Sequence, residues 1–138
     1  MRYFDASALV KRYVREKGSV KVRRLLSSDV AATSRLSAVE IASALVRRSR
    51  EGAFSQAARD RALASLDADM TALLVVELTA GVVTRARGLL ERHPLRASDA
   101  IQLASCLYLR EALEEDAELV VFDARLAAAA RLEGVTVA

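Results

Sequence analysis

Short runs of apolar residues alternate along this chain with longer stretches whose apolar positions recur every three or four residues. The first pattern predicts strands buried on both faces, the second amphipathic helices. "RYFD" (2–5) predicts a strand and "ASALVKRYVRE" (6–16) a helix carrying Leu9, Val10, Tyr13 and Val14 on one side. After Gly18, "SVKVRRLLSS" (19–28) predicts a helix with Val20, Leu25 and Leu26 inward, and "DVAATS" (29–34) a weaker strand. "LSAVEIASALVRRSREG" (36–52) predicts a helix opened by Ser37 and closed by Gly52. "SQAARDRALASLDADM" (55–70) follows with Ala58, Ala62, Leu63 and Leu66 on one side, then the strand "ALLVVELT" (72–79). "AGVVTRARGLLERH" (80–93) is a helix that Pro94 ends, and "ASDAIQLASCLYLREAL" (97–113) a long buried one. The strand "AELVVFD" (117–123), the helix "ARLAAAARLE" (124–133), Gly134 and the strand "VTVA" (135–138) complete the chain.

Short apolar strands separated by helices predict a parallel sheet covered on both faces. The expected fold class is α/β, a three-layer α/β/α sandwich with a central parallel sheet of about five strands. With 138 residues, no linker and no repeat, one domain is expected over 1–138.

Composition narrows the setting. The chain is 53% hydrophobic and 28% charged, with 1 Pro and 5 Gly, which excludes a disordered or low-complexity protein. No apolar run approaches the ~20 residues of a membrane span. The strand pattern begins at the N-terminus, so no signal peptide is expected, and one cysteine, Cys106, allows no internal disulfide. A cytoplasmic, non-membrane setting follows as the expectation. The net charge is +3 and 18 of the 21 cationic residues are Arg, which suits bidentate pairing with phosphate or carboxylate. A GC-rich genome produces the same arginine excess, so composition alone does not select an anionic partner.

Candidate chemistry rests on four acids. Asp5 ends "RYFD" and Asp123 ends "LVVFD", while Glu40 and Asp99 stand in the first turns of helices. In a parallel sheet, strand carboxyl ends and helix N-termini share one edge, where ligands bind near a topological switch point. Singly, each acid has a structural explanation: Asp5 and Asp123 as N-caps, "Ser37-Ala-Val-Glu40" as a capping box, Asp99 as a complement to its helix dipole. Together they predict a cation or a proton between them, because carboxylates ~4 Å apart repel by ~4 kcal/mol at an effective dielectric near 20. Hard oxygen donors without His or Cys suit Mg²⁺ or Mn²⁺, which can activate water and clamp a phosphodiester.

The segments "RYFDASALVKRYV", "TSRLSAVEIASAL", "LRASDAIQLA" and "LVVFDARLAAAA", in this order, resemble the four signature segments of PIN-domain nucleases, specifically VapC-type toxins of toxin–antitoxin pairs. The resemblance implies metal-binding, catalytic roles for Asp5, Glu40 and Asp99, with Asp123 as a fourth acid that binds metal directly or through water. Ser7 matches a position near the site where the family often has Ser or Thr. The resemblance further implies a Mg²⁺- or Mn²⁺-dependent endoribonuclease that cuts tRNA or rRNA and leaves a 5′-phosphate. It also implies a homodimer, silenced by a VapB-type antitoxin whose C-terminal segment lies over the active site. One departure stands out: the family often has Ser or Thr two residues before the fourth acid, where this chain has Val121.

Other residues are expected to be quieter. His93 reads as a helix-end residue and Cys106 as core, and no Gly-rich phosphate loop is present. Arg47, Arg48 and Arg50 close the Glu40 helix and are expected to serve its dipole, away from the site. Arg96, three residues before Asp99, is the better candidate for an RNA phosphate, or equally for a plain salt bridge to a carboxylate, with Lys11 and Arg12 behind it. Aromatic content of 4% argues against a stacking platform, and Tyr13, Phe54 and Tyr108 are expected in the core or an interface. The rival from another class is a non-catalytic binding module of the same fold whose acidic pocket docks a basic peptide. A phospho-acceptor domain of the response-regulator kind fits less well, since Asp5 stands alone and "VVFDAR" offers no Lys.

Overall fold

Five parallel strands form one sheet in the order β3-β2-β1-β4-β5: β1 (Arg2–Phe4), β2 (Ala31–Ser34), β3 (Leu74–Val76), β4 (Glu118–Val120) and β5 (Thr136–Val137). The computed structural model describes all residues, 1–138. From β1 the order runs one way to β2 and β3 and the other way to β4 and β5. The switch point therefore lies between β1 and β4, where Tyr3 pairs with Leu119 and Phe4 with Val120.

The period of two along each strand sorts the core into two layers. Tyr3 and Leu119 point to one side, packing with Val82, Leu89, Leu103 and Leu126 of α5 (Ala80–Arg92), α6 (Ala97–Leu113) and α7 (Ala124–Leu132). Phe4 and Val120 point to the other, packing with Leu9, Val22, Ile41, Leu45 and Leu66. Those residues belong to α1 (Ala6–Leu9), α2 (Ser19–Ser28), α3 (Leu36–Arg50) and α4 (Gln56–Ala72). The three-layer α/β/α sandwich read from the sequence is the fold observed.

Three local expectations need correction. The first helix stops at Leu9 and tightens into a 3-10 turn over Val10–Arg12 instead of running to residue 16. Tertiary bonds claim its continuation: Arg12 and Tyr13 bond the Asp69 carboxylate of α4, and the Ser19 hydroxyl donates to the Val14 carbonyl. In α2 the inward valine is Val22, fully buried, whereas Val20 is 81% exposed. Ser37 does not cap α3; it lies inside the helix, and the Ser34 hydroxyl accepts from the Leu36 N–H instead.

Candidate active site

Each acid is delivered by its own element to the carboxyl edge of the sheet. Asp5 follows β1 and caps α1, its Oδ1 accepting from the Ala8 N–H at 2.8 Å and its Oδ2 from the Ser7 hydroxyl at 2.7 Å. Asp123 follows β4 and caps α7, its Oδ1 accepting from the Leu126 N–H at 2.9 Å. Glu40 projects from the second turn of α3 and Asp99 from the first turn of α6. Glu40, Asp99 and Asp123 line one cleft of about 520 Å³ together with Ser7, Arg47 and Arg96, while Asp5 lies buried beneath it.

The capping explanations thus hold for Asp5 and Asp123; Asp123 keeps its Oδ2 free, whereas both Asp5 oxygens already accept a hydrogen bond. The capping box at Glu40 is absent, because Glu40 Oε1 accepts from the Gln102 amide at 3.0 Å. Gln102 anchors a buried chain of bonds: its Oε1 accepts from the Tyr3 hydroxyl at 2.8 Å and its amide donates to Ser37 Oγ at 3.0 Å. Ser37 in turn meets Thr33 Oγ1 at 2.6 Å, and Thr33 donates to the Phe4 carbonyl at 2.8 Å. With every buried side-chain polar atom partnered, this chain holds Glu40 against the end of β1.

The electrostatics record the crowding. Burial pushes the Asp5 carboxyl up to about 6 against its two hydrogen bonds, and the Asp99 and Glu40 charges add to the rise. Burial also raises Glu40, opposed by the Gln102 bond and helped by Asp99. Asp99 is raised by burial and then by Asp123, while Arg96, its Nε 3.9 Å from Asp99 Oδ2, pulls it back. The acids feel one another, yet no three carboxylates stand close enough to form a ready metal cage. Ala8, Leu126, Gln102 and Arg96 each engage one of these carboxylates.

One residue at this edge was assigned elsewhere from the sequence, and two beside it were not singled out as candidates. Arg47 was expected to lie away from the site, yet it lines the cleft, because Glu40, Ser43, Ala44 and Arg47 share one face of α3 at helical spacing. Gln102, three residues after Asp99 within an apolar run, is the positional cue that could have revealed the buried network. Phe122, next to Asp123, is 42% exposed. Val121, where the family often has a hydroxyl, points into the core layer of α6 and α7 instead of the cleft. His93 ends α5 with its ring nitrogen 2.6 Å from Glu133, and Cys106 is buried, its thiol pushed up to about 12 by burial. Tyr13 and Phe54 are half-buried against the α4 core layer, whereas Tyr108 is 45% exposed.

A parallel sheet with this strand order and four acids at its switch point defines a class, and residues 2–132 match the PIN domain. The chain belongs to the PIN-domain family, in its VapC branch. Ribonuclease VapC45 of Mycobacterium tuberculosis (strain CDC 1551 / Oshkosh) is 35% identical over 137 residues, covering 99% of this chain and 93% of that protein. Ribonuclease VapC49 of Mycobacterium tuberculosis (strain ATCC 25618 / H37Rv) matches with the same identity and coverage. A toxin-antitoxin complex from Klebsiella pneumoniae superposes with a TM-score of 0.64 at 14% identity, covering 93% of this chain and 91% of that one. The structure of VapBC2 from Rickettsia felis bound to a DNA fragment from their promoter gives 0.68 at 12% identity, over 100% and 98%. At those identities the structural likeness speaks for the fold. No helix is long and apolar enough to cross a membrane.

Proposed function

We propose that this protein is a Mg²⁺- or Mn²⁺-dependent endoribonuclease, the toxin of a VapBC-type toxin–antitoxin pair, with residues 1–138 acting as one nuclease domain. One observation carries the reading: Asp5, Glu40, Asp99 and Asp123 come from four separated stretches to a single edge, and three of them are raised in pKa partly by their neighbours. The VapC ribonucleases at 35% identity support RNA cleavage. The toxin–antitoxin complexes that share the fold support a VapB-type antitoxin as partner. The reading extends to a homodimer acting on tRNA or rRNA in the cytoplasm.

The donor set fits a hard divalent ion, since it offers carboxylate oxygens only and a cation relieves their repulsion. Asp5, Glu40 and Asp99 would hold it, with the free oxygen of Asp123 assisting. Bound there, the ion supplies Lewis-acid activation and neutralises charge on the phosphodiester. The chain's own residues orient the rest. The Ser7 hydroxyl and Ala8 N–H fix the Asp5 carboxylate, and Gln102 fixes Glu40. Arg96 and Arg47, both on the cleft, draw the RNA backbone towards the acids. Water adds to phosphorus, the 3′ oxygen leaves, and the products carry a 5′-phosphate and a 3′-hydroxyl.

The second reading, an acidic pocket that docks a basic peptide without catalysis, has one observation in its favour: the absence of a ready three-carboxylate cage. Cleavage assays on purified Asp5→Asn and Asp99→Asn variants separate the two. The nuclease reading expects loss of cleavage with an unchanged fold; full activity in either variant ends it.

A further inference from the structure

The six aromatic side chains of this protein are not alike in their surroundings. Tyr3 and Phe4 are fully buried, Tyr13 and Phe54 are half-buried, and Tyr108 is exposed about two and a half turns along α6 from Asp99. Phe122 alone is an exposed ring at the carboxyl edge of the sheet, one residue and about 3.8 Å of chain from Asp123. Strand alternation explains its direction. Val120 points to the α1–α4 layer and Val121 to the opposite one, so Phe122 turns back towards α2 and the loop before it.

The ring is seated there. A Cβ on Gly18 would lie 2.8 Å from Phe122 Cε1 and 2.9 Å from Cζ, so only glycine leaves it room; the φ of +94° there demands glycine as well. Lys11 Nζ lies 4.6 Å from the ring centroid and is itself fixed by Glu16 Oε1 at 3.2 Å and the Lys17 carbonyl at 2.9 Å. Lys21 Nζ lies 5.8 Å from the same centroid, but it is exposed and bonds no carboxylate. The arrangement pairs a seated, partly exposed ring with one cation that is itself held and one that forms no ion pair.

We infer that Phe122 and Lys21 form a subsite for the nucleotide flanking the bond that is cut, its base stacked on the Phe122 ring and its phosphate on the Lys21 ammonium. This rests on the nuclease reading above and adds to it a place where the RNA strand is gripped. Stacking on an aromatic side chain is tolerant of sequence, and its usual strength corresponds to roughly a tenfold effect on binding. The subsite thus positions a single-stranded or splayed segment without dictating which base occupies it.

The test begins by mapping cleavage on total tRNA and rRNA, then builds an oligoribonucleotide about 16 nucleotides long around the cut. Abasic residues are walked through it one at a time. Wild-type protein is expected to lose about tenfold in kcat/KM when the abasic residue occupies the position that stacks. Phe122→Leu, which still fills the seat beside Gly18, is expected to lose about as much on the intact strand and nothing further on that abasic one. Phe122→Tyr, which keeps a ring in the seat, is expected to keep the abasic sensitivity that Phe122→Leu loses. Lys21→Ala is expected to lower the slope of log binding against log salt by about 0.7.

A Phe122→Leu variant as active as wild type overturns the proposal, as do losses that multiply at every abasic position. An abasic scan that is flat for wild type overturns it without recourse to any variant. A slope unchanged in Lys21→Ala overturns the phosphate contact. If wild-type protein cuts no tRNA or rRNA at all, it is the nuclease reading itself that falls.

Discussion

Replacing Gln102 with leucine probes the buried chain that holds Glu40. The side chain is 2% exposed and makes three bonds, to the Tyr3 hydroxyl, Ser37 Oγ and Glu40 Oε1. Leucine removes all three at nearly constant volume. Tyr3 is fully buried, so its O–H is stranded at about 1–3 kcal/mol. Ser37 keeps its Thr33 bond and loses about 1 kcal/mol, while half-buried Glu40 can exchange the amide for water. The expected destabilisation is about 2–4 kcal/mol, read as a lower urea midpoint at constant m. Adding Tyr3→Phe removes the stranded group and should recover about 1 kcal/mol or more. A change under about 0.5 kcal/mol in Gln102→Leu, or further loss in the double variant, refutes the reasoning. The Gln102 bond also lowers the Glu40 pKa, so the variant's acid limb of activity should move to higher pH.

Two further outcomes follow from the acids themselves. In the metal-free protein Asp5 titrates at about 6, against 3.8 for an ordinary aspartate, so the folded state keeps a proton that the unfolded chain has released. The Asp5 contribution to stability is then fully present below pH ~4 and is lost as pH rises through ~6, by about 3 kcal/mol. Urea midpoints in EDTA from pH 4 to 7 should show this slope as the difference between wild type and Asp5→Asn, still an adequate N-cap, with the variant gaining on wild type as pH approaches 7. Arg96, which lowers the Asp99 pKa from an exposed position, should act mainly on substrate capture. Arg96→Ala is expected to raise KM several-fold with little change in kcat and to shift the acid limb upward, measured as a pH–rate profile.

Most of the fold was legible because buried parallel strands and amphipathic helices carry different periods, and those periods alternate without interruption from "RYFD" to "VTVA". Asp5 and Asp123 were readable as edge residues because each ends an apolar strand. What escaped the sequence depends on three-dimensional partners. The early end of α1 is set by Asp69, some sixty residues away, and the true role of Ser37 by Gln102 and Thr33. Arg47 was assigned to the helix dipole because it sits near the C-terminus of α3. The cleft runs along the helix instead of stopping at its N-terminus, so the face shared with Glu40 decided the matter. The low aromatic content argued against stacking, and a total of this kind does not locate the one exposed ring, Phe122, that stands at the carboxyl edge.

Calorimetric titration of Mn²⁺ near pH 6 tests most directly the proposed sharing of a divalent ion by Asp5, Glu40, Asp99 and Asp123. Wild-type protein is expected to bind the ion and release protons, because the raised carboxyls must ionise to ligate, whereas Asp5→Asn and Asp99→Asn lose at least tenfold in affinity. No binding by the wild type, or equal binding by both variants, would contradict it.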